Sequence, residues 1–169
     1  MTVFAGDPIY ASDSNNTNNN ASAGQSTTQT NSFTTAANTF ASVVTKSYAF
    51  LDEYAYKISY FYRVQVIGGT SPYNVETRLR RASASGTVFH APGGTAAITT
   101  NFMKMDGWCI VKVTNGNTTQ TIVVSAAFTS SGAPTSMDLE GATDARNTVL
   151  IERLGPASDF PDAIELPTS

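Results

Sequence analysis

The sequence predicts an all-β protein, an antiparallel β-sandwich of jelly-roll type behind a short N-terminal anchor and a linker. Three observations carry this reading. Residues 54–67, YAYKISYFYRVQVI, alternate along their length. Tyr54, Tyr56, Ile58, Tyr60, Tyr62, Val64 and Val66 fall on one face, and Ala55, Lys57, Ser59, Phe61, Arg63 and Gln65 on the other. A period of two in aromatic and β-branched residues is the signature of a strand. Further runs of this kind recur at short spacing with turn residues between them, as in sandwiches and jelly rolls. No long amphipathic helix and no βαβ alternation is present, which argues against a parallel sheet.

Residues 1–13, MTVFAGDPIYASD, hold several apolar side chains, Val3, Phe4, Ile9 and Tyr10 among them, ahead of a polar stretch. That arrangement suits an anchor segment that docks into something else. Residues 14–31 are rich in Asn, Ser and Thr and carry no charge, as a linker would. Apolar residues return at Phe33, Phe40, Val43 and Val44, so the sandwich domain is placed at residues 32–155. The 54–67 strand is long enough to bend or bulge midway. GGTSP at 68–72 is turn chemistry.

Residues 73–81, YNVETRLRR, alternate again, with Val75, Thr77 and Leu79 inward and Glu76, Arg78 and Arg80 outward. A strand at 87–90 is expected to end in the turn APGG. Another at 95–105 leads into Asp106-Gly107, a two-residue hairpin signal. Residues 108–114, WCIVKVT, precede a second such signal, Asn115-Gly116. Strands at 118–128, 136–139 and 147–154 complete a set of about eight. Residues 156–169 contain Pro156, Pro161 and Pro167 with Asp159, Asp162 and Glu165 and no basic residue, and read as an extended acidic tail.

Composition narrows the function. A chain of 169 residues suits one domain with appended segments. Only 14% of residues are charged and the formal net charge is -3. The one basic cluster, Arg78, Arg80 and Arg81, is too short to track a nucleic-acid backbone. Cys109 is the only cysteine, so no intrachain disulfide can form. The N-terminus lacks the basic and apolar regions of a secretory signal. No run approaches the roughly 18 apolar residues of a membrane span.

Catalytic patterns are missing as well. His90 is the sole histidine, and any Ser-His-Asp site would have to be built on it. No G-x-S-x-G elbow and no glycine-rich phosphate loop occurs. One His and one Cys cannot supply a zinc site. Asp138, Glu140 and Asp144 lie close in DLEGATD, but the run departs from the twelve-residue calcium loop. The expectation is therefore no catalytic residue, no cofactor and no metal.

The tyrosines of 54–67 leave three readings open for Tyr56, Tyr60 and Tyr62. They can pack a core with their hydroxyls partnered, form a subunit interface, where Tyr is enriched, or offer a platform for sugar stacking.

Four segments together carry a family resemblance: VFAGDPIYASDSN at 3–15, YKISYFYRVQV at 56–66, VETRLRR at 75–81 and VLIERLGP at 149–156. They resemble small tail and virion proteins from phages of actinobacteria. Arg153 stands where an acidic residue is more usual in that pattern, and the linker is richer in Asn. The resemblance implies a β-sandwich, a structural role, homotrimers and other phage tail or capsid proteins as partners. It also implies synthesis in the host cytoplasm and residence in the virion. The expected function is a minor tail or fibre protein that binds a host receptor such as a surface glycan. A capsid decoration or head-fibre protein would share the architecture. A carbohydrate-binding module is the alternative from another class, favoured by the tyrosines. A glycan depolymerase is disfavoured by length and the lack of a site.

Overall fold

A computed structural model of the chain describes residues 21–26, 39–68, 73–97, 102–128, 136–139 and 147–167. Its strands are β1 (Ala21–Ser26), β2 (Ala41–Phe50), β3 (Tyr54–Ile67), β4 (Tyr73–Arg81), β5 (Val88–Ala97), β6 (Met103–Val113), β7 (Thr118–Phe128), β8 (Ser136–Leu139), β9 (Asn147–Pro156) and β10 (Ile164–Glu165). A 3₁₀ turn at Ala157–Asp159 precedes the last.

The pairing is that of a ribbon folded back on itself. β4 pairs with β5, β3 with β6, β2 with β7 and β1 with β9, each antiparallel. Rolling the ribbon gives two packed sheets. One runs β1-β9-β3-β6-β10, with β8 also on β3, and the other runs β2-β7-β4-β5. This is the jelly-roll arrangement of a β-sandwich. Among the described residues the only parallel pair is the two-residue contact of β10 with β6.

The core lies between the sheets, and the alternation of β3 supplies much of it. Ile58, Tyr62 and Val64 are fully buried, facing Leu79 of β4 and Ile122, Val124 and Phe128 of β7. Burying each such side chain contributes roughly 1.5–3 kcal/mol. β7 is buried on both faces from Ile122 onward. On its outer side Ser125 accepts from Arg80 Nε at 3.2 Å and donates to the Arg78 carbonyl at 3.0 Å. The guanidinium groups of Arg78 and Arg80 stack over the Phe40 ring at 4.2 and 4.8 Å. Arg80 is therefore buried, not the solvated outer residue that alternation alone predicts, because Phe40 roofs it and the Gly86 carbonyl accepts its Nη1.

Several turns fall elsewhere than local sequence predicts. Asp106-Gly107 lies inside β6, where Gly107 pairs with Tyr60. Asn115-Gly116 does form a turn, with Gly116 at φ +97, but it joins strands of opposite sheets. APGG is a bulge within β5, marked by a register shift between Thr77 and Leu79 and by Gly93 at φ +98. A proline is tolerated there because β5 is an edge strand. Residues 95–105 are not one strand, since β5 ends at Ala97 and β6 begins at Met103.

The segment boundaries change too. Ala21–Ser26, inside the stretch read as linker, pairs along β9. Residues 157–167 do not trail away as an extended tail. Ala157 N donates to Glu53 O at 2.8 Å, Leu166 N donates to Lys112 O at 2.9 Å, and Leu166 is fully buried.

Candidate functional site

The tyrosine row belongs to the interior. Tyr56 and Tyr62 are 0% exposed and Tyr60 is 6% exposed. Neither a subunit interface nor a sugar platform is open to Tyr56 and Tyr62 in the folded chain, which corrects their surface readings, and Tyr60 packs in the core with only its border on a cavity. Their hydroxyls find partners that the sequence did not reveal. Leu51 N donates to Tyr56 Oη at 2.7 Å, tying the β2–β3 crossover to the core. The Tyr56 ring packs edge-on against Phe50 and Tyr48. Tyr62 Oη and Thr77 Oγ1 lie 2.7 Å apart, a buried polar link between the two sheets. Desolvation raises all three phenols above their ordinary range. The anchor candidates Val3, Phe4, Ile9 and Tyr10 lie outside the described residues, as do Glu140 and Asp144.

The open side of the sandwich is where β5 and β6 end their sheets. β10 covers only Val111 and Lys112 of β6. The C-terminal strap that carries β10 is held by its own hydrogen bonds. Phe160 N donates to Ala157 O at 3.0 Å and Ala163 N to Phe160 O at 3.1 Å. Lys112 Nζ donates to Pro161 O at 2.8 Å. The Glu165 carboxylate accepts from Thr114 N at 3.1 Å and from Thr114 Oγ1 at 2.8 Å.

Between this strap and the upper part of β6 lies an open cavity of about 470 Å³. Trp108, Ile110, Phe160 and Pro161 form its apolar wall, and His90, Asp159 and Asp162 add polar groups. Trp108 is 59% exposed, the most exposed of the large hydrophobic side chains described. It stands on the outer face because Val111 and Val113 take the inner phase of β6. The Lys57 ammonium sits 5.6 Å from its ring centroid. A second cavity, about 330 Å³, lies further along the same edge, among Tyr60, Thr77, Pro92, Lys104 and Asp106.

The first cavity gathers a cysteine, a histidine and carboxylates, so its chemistry needs testing against geometry. Burial pushes the Cys109 thiol up to about 12, so it stays protonated and is a poor nucleophile. Burial lowers the His90 imidazole below its ordinary 6.5. Among the described residues no three His, Cys, Asp or Glu side chains gather as metal ligands. No described helix is long and apolar enough to cross a membrane. The arrangement is therefore suited to holding a ligand by an aromatic wall and acceptor groups.

Sequence reading missed this site. The outward Trp108 was the available signal, since its phase relative to Val111 and Val113 places it away from the core. Phe160, Asp159 and Asp162 carried no signal, because they reach Trp108 only through the strap.

No protein-family model and no curated protein matches the chain. Solved structures do. A chain of the T13 viral particle of infectious bursal disease virus aligns at 12% identity with a TM-score of 0.50, covering 80% of this chain and 36% of the viral one. A chain from the Gt strain of the same virus aligns at 9% identity and TM-score 0.47, covering 80% and 37%. The xylan-binding CBM22-1 domain from Paenibacillus barcinonensis aligns at 12% identity and TM-score 0.35, covering 78% and 82%. The chain thus spans about a third of the length of those viral chains. At such identity the likeness to the T13 particle chain concerns the β-sandwich fold.

Proposed function

We propose that the chain is a non-enzymatic structural protein of a bacteriophage particle, a minor tail or fibre protein that displays its jelly roll at the surface and contacts the host. The observation that carries the reading is the rolled β1-β9-β3-β6 and β2-β7-β4-β5 sandwich, a fold shared with a chain of a viral particle. The buried, protonated Cys109 thiol, a poor nucleophile, supports the non-enzymatic part. A capsid decoration or head-fibre role would use the same displayed domain and the same anchor at residues 1–13. Assembly as a homotrimer belongs to this reading, through surfaces other than the buried Tyr56, Tyr60 and Tyr62.

The test is mass spectrometry of purified phage particles followed by gold-labelled antibody imaging. Peptides of the chain in the particles, with label on the tail, are expected. Label on the head would move the assignment to capsid decoration, and particles free of the chain would overturn the virion reading. Light scattering at micromolar concentration should give three times the 17.9 kDa chain mass.

A further inference from the structure

We propose that the cavity between the upper part of β6 and the C-terminal strap is a saccharide-binding site, in which a neutral or amino-substituted pyranose stacks on Trp108 and donates hydroxyl hydrogen bonds to the Asp159 and Asp162 carboxylates. The proposal deepens the host-contact part of the function above by naming the ligand class and the residues.

The first ground is the exposure of Trp108. Trp108 is 59% exposed with the Lys57 ammonium 5.6 Å from its ring centroid, and covering the remaining aromatic surface with a ligand removes that area from water. The negative face of an indole attracts the polarised C–H groups on one side of a pyranose ring. Phe160 and Pro161 extend the apolar wall, and the cavity of about 470 Å³ has the size of a small-molecule site.

The second ground is charge. The acidic side chains at the cavity, Asp159 and Asp162, are exposed. When ionised, a carboxylate only accepts hydrogen bonds. A ligand that fits must bring donors. Hydroxyls do so, and so does an ammonium on an amino sugar. Among the described residues no Lys or Arg lines the cavity, and the two cations beside it are engaged, Lys57 over the Trp108 ring at 5.6 Å and Lys112 with the Pro161 carbonyl at 2.8 Å, so a uronate or phosphate would face the Asp159 and Asp162 carboxylates with only those engaged cations to offset them. A purely apolar peptide would desolvate the carboxylates with no partner for them.

The third ground is rigidity. The 3₁₀ turn, the Ala163–Phe160 hydrogen bond and the Lys112–Pro161 hydrogen bond fix the strap that carries Phe160, Asp159 and Asp162. Opposite it, Trp108 rides on a strand paired along its length with β3. Groups held in place beforehand lose little freedom on binding.

Trp108 is the only tryptophan of the chain, so intrinsic fluorescence reports on this cavity directly. The experiment titrates the full chain with maltotriose, cellotriose, chitotriose, its deacetylated amino form and trigalacturonate. A saturable change in emission is expected with at least one neutral or amino trisaccharide and none with trigalacturonate. By isothermal titration, Asp162→Asn should weaken binding about tenfold, in line with the loss of one charged hydrogen bond. Trp108→Ala should abolish binding while leaving the thermal unfolding transition in place. Silence with every saccharide overturns the site, as does equal binding of trigalacturonate, or full affinity in Trp108→Ala. Particle mass spectrometry reads the virion assignment separately, so either proposal can fail without the other.

Discussion

Tyr60 occupies the space that a side chain at Gly107 would need. The two residues face each other across β3 and β6, and a Cβ on Gly107 would lie 2.5 Å from Tyr60 Oη and 2.8 Å from its Cζ. A glycine weakens a strand interior, and an aromatic ring laid over it restores the lost packing. Gly107→Ala should cost about 1–3 kcal/mol by overpacking, read as a lower urea midpoint. Combining it with Tyr60→Leu should return part of that loss. Full stability in the single variant would show that the ring moves aside freely.

The buried link between Tyr62 and Thr77 joins the sheets. Thr77→Val keeps the shape but leaves the Tyr62 hydroxyl without this partner. The expected loss is about 1–3 kcal/mol. Adding Tyr62→Phe should recover much of it, and a double-mutant cycle by chemical denaturation measures the coupling. Simple additivity of the two changes would contradict the link.

His90 makes stability depend on pH. Burial lowers its folded value below the ordinary 6.5, so the unfolded chain binds the proton more readily. Stability from this group is full above the unfolded value and falls as pH drops through about 6.5, until the folded imidazole protonates as well. The effect is small because the ring keeps partial contact with water. Melting temperatures from pH 7.5 to 5 should decline less in His90→Gln than in the parent chain, and parallel profiles would refute the assignment.

Cys109 is held as a protonated thiol, pushed up to about 12 by burial. Iodoacetamide at pH 8 should leave the native protein unmodified and alkylate it fully in urea. Mass spectrometry distinguishes the two, and rapid native labelling would show that the β6 interior opens.

Leu166 binds the C-terminal strap to the core. Leu166→Ala should cost about 2–5 kcal/mol, seen as a drop in melting temperature. It should also weaken any ligand affinity at Trp108, since the strap forms the opposite wall. An unchanged melting temperature would return residues 156–169 to the status of a tail.

The sequence by itself determined β3, β4, β7, β8 and β9 and the inner faces of β3 and β4, but not β1, β10 or the bounds of β5 and β6. The alternation of residues 54–67 and of Val75, Thr77 and Leu79 is a property of the extended backbone, which turns successive side chains to opposite sides wherever the strand lies. It marked Tyr56, Tyr60 and Tyr62 as one face but could not say what that face meets, because Leu51 and Thr77, which partner their hydroxyls, are brought there by the crossover and by the second sheet. The tertiary structure decided the turns and the site. Asp106-Gly107 and Asn115-Gly116 carry the same local signal, yet the first is mid-strand because Tyr60 covers it and the second crosses between sheets. Trp108 meets Phe160, Asp159 and Asp162 only because Leu166 is buried and Lys112 holds the Pro161 carbonyl. Side-chain phase is fixed by bonds within each strand, whereas neighbours are chosen by the burial that the whole rolled ribbon achieves, and no short stretch of chain contains that information.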